Sequence, residues 1–144
     1  MDSADNVVRL VDIRDTPLEV GEVLAALEDA AAGGLSVFVG NVRDHDGGKH
    51  VTGLEYSAHP TALDRLREVA AAVAAKHDVL GVAAIHRVGR LAIGEAAVVV
   101  ATAAAHRGEA FEASRTLIDE LKGTVPIWKH QTFADGTEEW VGTP

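Results

Sequence analysis

The order of hydrophobic patterns along this chain predicts an α+β fold, with mixed or antiparallel sheet and three main helices. Three observations carry that expectation. Val-, Ile- and Ala-rich runs alternate with helical periodicity as strand, helix, strand, strand, helix, strand, strand, helix, strand, strand. Gly and Pro stand at most of the junctions. No internal repeat, low-complexity tail or long linker interrupts the 144 residues, so residues 1–144 are expected to form a single domain.

Val7 to Ile13 reads as a short first strand. Thr16-Pro17-Leu18-Glu19 has the form of a capping box with Pro at the first helical position, which predicts a helix from about Leu18 to Ala32, stopped by Gly33-Gly34. Leu35 to Val42 is apolar nearly throughout and is expected to be a central strand. The polar, Gly-rich stretch Arg43 to His50 reads as a loop, and Val51 to Ser57 as the next strand. A second helix opens at Pro60 or Thr61, with Leu63, Leu66, Ala70, Val73 and His77 at helical spacing. Val82 to Val88 and Glu95 to Ala103 are strands linked through Gly89 to Gly94. A third helix is expected from about Arg107 to Lys122, with Gly123 as its stop, followed by a hairpin of Ile127 to Phe133 and Glu138 to Val141 around Asp135-Gly136.

Composition narrows the chemistry. Hydrophobic residues make up 47% of the chain and aromatics only 4%, so Ala, Val and Leu must fill the core. A formal net charge of -9 argues against a nucleic-acid partner, which needs clustered Lys and Arg over a broad face. The absence of cysteine excludes disulfides, thiolate nucleophiles and thiolate metal sites; if the reaction moves sulfur, a partner must bring it. The acidic start Met1-Asp2-Ser3-Ala4-Asp5 has no apolar signal core, and the apolar stretch Ala96 to Ala105 is too short to span a bilayer, so a cytoplasmic protein with no membrane partner is expected.

Against this acidic background one run is basic: His106-Arg107, Arg115, Lys122, then Pro126-Ile127-Trp128-Lys129-His130. Such a concentration suits a small anionic ligand. With Phe111 at zero and about 100° per residue, Ser114, Leu117, Ile118 and Leu121 share an apolar stripe, and Lys122 and Arg107 fall near the direction of Phe111. Lys122 could be a last-turn lysine complementing the helix dipole, but its place on the apolar edge favours a site. Arg107 stands where a helix starts, a place that binds anions; pairing with Glu109 or Glu112 is the equal alternative. Arg107 and Lys122 are separated by roughly 22 Å at about 1.5 Å per residue, so a shared site would need one from each of two subunits. Pro126 turns the chain back, so Lys122 and Lys129 could face one pocket. Arg43 ends a strand before a Gly-rich loop and could reach into a site. Asp44, His45, Asp46 and His50 match no specific ligand spacing, and no metal site is expected. His86 reads as a core histidine in an apolar strand.

From about Leu35 to Val141 the chain resembles the catalytic (large) subunit family of molybdopterin synthase. The resemblance is carried by Phe38-Val39-Gly40-Asn41-Val42-Arg43, Leu54-Glu55-Tyr56, Ile85-His86-Arg87-Val88-Gly89, Ala105-His106-Arg107 with Phe111-Glu112-Ala113, and Lys122 with Pro126-Ile127-Trp128-Lys129. It implies an α/β-hammerhead fold and a homodimer forming the core of a heterotetramer. A small ubiquitin-like sulfur-carrier subunit would present a C-terminal Gly-Gly thiocarboxylate, and the substrate would be cyclic pyranopterin monophosphate. The implied activity is that of a sulfurtransferase of molybdenum cofactor biosynthesis, forming the molybdopterin dithiolene without a cofactor of its own. By the same resemblance Lys122 and Lys129 are the catalytic residues, and Arg43, His106, Arg107 and Phe38 bind substrate. Two departures stand out. Many members continue past Trp140-Val141-Gly142-Thr143-Pro144 and supply a further basic residue, and His130-Gln131 replaces a stretch where an acid is common. The alternatives are a non-catalytic carrier-binding scaffold and a regulatory domain binding a phosphorylated metabolite.

Overall fold

The computed structural model describes residues 7–142; Met1-Asp2-Ser3-Ala4-Asp5 and Thr143-Pro144, noted above, lie outside them. The strands are β1 (Val8–Arg14), β2 (Gly34–Asn41), β3 (His45–Asp46), β4 (Lys49–Ala58), β5 (Gly81–Arg87), β6 (Gly89–Leu91), β7 (Ala96–Ala104), β8 (Ile127–Phe133) and β9 (Glu138–Val141). The helices are α1 (Val20–Ala26), α2 (Ala62–Lys76) and α3 (Arg107–Thr124). One sheet has the order β1-β5-β7-β2, with β1 parallel to β5 and the other pairings antiparallel. The second sheet runs β3-β4-β8-β9, with β6 also paired to β4. This is the expected α+β arrangement of mixed and antiparallel sheet with three helices.

The alternation of side chains along β5 and β7 builds two apolar layers on the first sheet. Val82, Ala84, Val98, Val100 and Ala104 face α2 and α3, where Leu66, Val73, Ala113, Leu117 and Leu121 close over them. Ala83, Ile85, Val99, Ala101 and Ala103 face the other way, toward Val23 and Leu27 at α1. Small residues on the strands let the helices lie close, which is how a core with few aromatics fills its volume. Thr102, fully buried, donates its hydroxyl to Ala110 O at 2.6 Å and ties α3 to β7. A third, smaller cluster of Val42, Leu54, Leu91 and Ala97, with Tyr56 packed against it, joins the two sheets.

Several expectations are corrected. The strand at Leu35 to Val42 is not central: β2 is an edge strand, with Leu35, Val37 and Phe38 exposed, and β5 and β7 take the middle. The first helix is only Val20–Ala26. Its capping box does not form; Glu19 is the N-cap residue and makes no side-chain cap bond. It ends early because Asp29 accepts from Ala31 N–H at 2.9 Å and from Arg9 at 3.0 Å, offering the backbone a turn in place of helix. Gly33 is needed for close approach rather than as a helix stop: a Cβ there would lie 2.2 Å from Ala105 O. The third helix continues through Gly123 to Thr124 and is halted by Pro126, which holds Val125 extended at φ -80° and ψ 122°. The Arg43 to His50 loop contains the short strand β3, and β6 lies in the Gly89 to Gly94 link.

Candidate functional site

The fold brings one end of α3 to the seam between the two sheets. After Pro126 the chain reverses into β8, which pairs with β4 so that Lys129 lies opposite Tyr56 and Gln131 opposite Leu54. Period-two alternation then places Lys129, Gln131, Tyr56 and Leu54 on one face, while Glu55 and His130 face away. The end of β2 and the loop after it supply Phe38 and Arg43. Together these segments and Lys122 line a cleft of about 430 Å³.

Four expected site residues, Phe38, Arg43, Lys122 and Lys129, therefore meet in one cavity. Lys122 and Lys129 also line a second, smaller cavity of about 210 Å³ with Tyr56, His86, Val125 and Val141. The two lysines line both chambers and stand on the wall between them. The stripe assigned to α3 needs correcting here. Its buried face is Ala110, Ala113, Ser114, Leu117 and Leu121, whereas Phe111 is 60% exposed. Lys122 thus projects from the margin of the buried face, toward the seam, rather than from its centre. The residue keeps contact with solvent, yet partial desolvation holds its pKa below the ordinary lysine value, and repulsion from Lys129 adds to the shift.

His106 and Arg107 are not in this cleft. They open α3 at its far end, both exposed, with His106 as the N-cap residue and no side-chain cap bond. Pairing of Arg107 with Glu109 or Glu112 is not formed; the ion pair seen on this helix joins Arg115 to Asp119 at 3.8 Å.

Four further residues, Asp46, Gln131, Tyr56 and His86, border the two cavities without having been given a role there by the sequence. Asp46, at the tip of β3, accepts from the buried Gln131 amide and lies 3.9 Å from Arg43 and 4.0 Å from Lys129. The Gln131 bond, followed by the charges of Lys129 and Arg43, holds the Asp46 carboxyl below the usual carboxylate range. Gln131 could have been found by stepping two residues from Lys129; Asp46 could not, because its partner is 85 residues away. Tyr56 is packed edge-on to His86, ring centroids 5.1 Å apart, and burial raises its hydroxyl pKa. His86 donates from Nδ1 to Arg87 O at 2.7 Å, and burial, opposed by that bond and helped by Lys122, lowers its pKa to about 4. It is the neutral core histidine expected, and it borders the second cavity.

Comparison with known proteins places this geometry. The family model described as MoaE protein matches residues 13–124. Molybdopterin synthase catalytic subunit 1 of Mycobacterium tuberculosis is 47% identical over 131 residues, covering 90% of this chain and 88% of the relative. The crystal structure of molybdopterin synthase from Staphylococcus aureus superposes with a TM-score of 0.85 at 30% identity, covering 92% of this chain and 97% of that one. A complex of subunits 1 and 2 of molybdopterin-converting factor from Helicobacter pylori shares the fold, with a TM-score of 0.67 at 20% identity over 94% of this chain and 89% of that one. With a family match over most of its length and the two lysines converging on one cleft, the chain belongs to the MoaE family, the catalytic subunits of molybdopterin synthase.

Proposed function

We propose that this chain is the catalytic subunit of a molybdopterin synthase, a sulfurtransferase that moves sulfur from the thiocarboxylated C-terminus of a small carrier subunit to cyclic pyranopterin monophosphate. The observation that carries the reading is the convergence of Lys122 and Lys129 with Arg43 and Phe38 on one cleft, in a chain with no cysteine of its own. In each of two transfers the thiocarboxylate sulfur would bond to a substrate carbon as a carbon–oxygen bond at that carbon breaks, the oxygen leaving as water or on the opened phosphate ester. Water would then cleave the acyl–sulfur bond, leaving the sulfur on the substrate and the carrier as a carboxylate. Both steps develop negative charge that fixed cations can stabilise without reorganisation. Lys122, whose pKa partial desolvation lowers below the ordinary lysine value, is suited to exchange a proton, and Lys129 beside it supplies charge. Arg43 would hold the substrate phosphate and Phe38 its ring system.

His106 and Arg107 complete the substrate site in this reading only if they come from a second copy, since their helix carries them away from the cleft. A homodimer with a carrier at each end makes the heterotetramer, and the Helicobacter pylori complex of two subunits is a precedent for the carrier contact. The same reading places the chain in the cytoplasm; among the described residues no helix is long and apolar enough to cross a membrane.

The test is reconstituted turnover: purified chain, thiocarboxylated carrier and cyclic pyranopterin monophosphate, with the dithiolene product followed by mass spectrometry. Product should depend on this chain, and Lys122→Ala should lower the rate roughly 100-fold or more while carrier binding persists. Carrier binding without product, or full turnover by Lys122→Ala, would overturn the assignment.

A further inference from the structure

The cleft is not simply cationic. Gln131 is 1% exposed, and a buried amide must place its N–H groups on acceptors. It spends them on two carboxylates, Asp46 Oδ2 and Glu139 Oε1, the latter at 3.2 Å. Asp46 is held there from the other side as well. It pairs with Lys49 across a two-residue turn whose residues, Gly47 and Gly48, both have positive φ, 59° and 80°. That turn type demands such residues and fixes the register of the hairpin. The side chain is thus aimed by a rigid turn and gripped by a buried donor, and it lies 3.9 Å from Arg43 and 4.0 Å from Lys129. Both separations are at the long limit of an ion pair. The carboxylate faces both cations without forming a close, bidentate lock on either, so an arriving anion can take over those two contacts while Asp46 keeps its bond to Gln131.

We propose that Asp46 is the resident anion of the cleft: its carboxylate occupies, between Arg43 and Lys129, the position an anionic group of the incoming ligand takes, and the ligand displaces it. Asp46 keeps the two cations oriented while the cleft is empty and sets how strongly an anion must bind to enter. The inference rests on the reading above for which anion arrives, but the displacement is a property of the cleft alone.

Inorganic phosphate is the probe, titrated calorimetrically into the full chain at low ionic strength. Asp46→Asn and Asp46→Ala should bind phosphate more tightly than wild type, roughly twofold to fivefold, the value of one partly exposed charge pair. Asp46→Glu, which keeps the charge, should stay near wild type. Adding Arg43→Ala to Asp46→Asn should remove the gain. A merely structural role for Asp46 would weaken binding, not strengthen it, and thermal melts of each variant confirm folding. Unchanged or weaker phosphate binding by Asp46→Asn, or no phosphate binding by any variant, overturns the proposal. Tighter phosphate binding alongside a failed turnover assay would leave this inference standing and remove the synthase reading.

Discussion

The two lysines were legible at the level of single residues because what joins them is local: one helix end, a proline and a strand start within eight positions. What surrounds them was not. Asp46 meets Gln131 across 85 residues, and His86 reaches the second cavity only because the fold sets the end of β5 beside the last turn of α3 and the start of β8. His86 also yields a prediction. Its pKa is about 4 in the folded protein against an ordinary 6.5, so between those values the unfolded chain binds the proton more readily. Stability from this residue is fully present above about pH 6.5 and is lost as pH falls toward 4, in total about 3 kcal/mol. His86→Asn, which keeps a donor for Arg87 O, should flatten urea-denaturation stability across that window. An unchanged slope in the variant would show that other groups carry it.

Secondary-structure elements divide by what decides them. β8 and β9 match their sequence patterns residue for residue, since alternation and an Asp135-Gly136 turn specify a hairpin locally; Gly136 indeed has φ 86°. α1 did not match, because the side chain of Asp29, anchored by Arg9 on β1, outcompetes helix continuation. The buried face of α3 was misjudged for a related reason. Ala110 and Ala113 are the contacts that small strand residues permit, while the larger Phe111 is left outside. Gly33 sits where β2 enters against the chain leading into α3, with its own N–H bonded to Ala104 O at 3.0 Å. Gly33→Ala would force backbone apart at Ala105 O and should destabilise the protein by about 1–3 kcal/mol. A urea midpoint equal to wild type would show that the β7–α3 junction yields more easily than its contacts imply.

The whole molecule leaves an edge unguarded. β2 is the outer strand of its sheet and shows Leu35 and Val37 to solvent, where edge strands usually carry charge or cover. Its apolar sequence suggested a central strand for a sound reason, since it is composed for burial, and a second copy would provide it. The proposed dimer also explains why two of the five expected basic site residues, His106 and Arg107, are absent from the cleft of a single chain. Arg107 and Lys122 stand at opposite ends of α3, about 22 Å apart, so one ligand can meet both only across a two-fold axis. Complementation tests this directly. Arg107→Ala and Lys122→Ala should each be nearly inactive alone. Unfolded together and refolded at equal amounts, half of the dimers would be mixed, and each mixed dimer would hold one intact site built from Lys122 of one chain and Arg107 of the other. Activity should return to roughly a quarter of wild type. If the mixture stayed as inactive as its components while light scattering showed dimers, Arg107 would belong to a different site from Lys122, and the shared cleft would have to find its phosphate contacts within one chain.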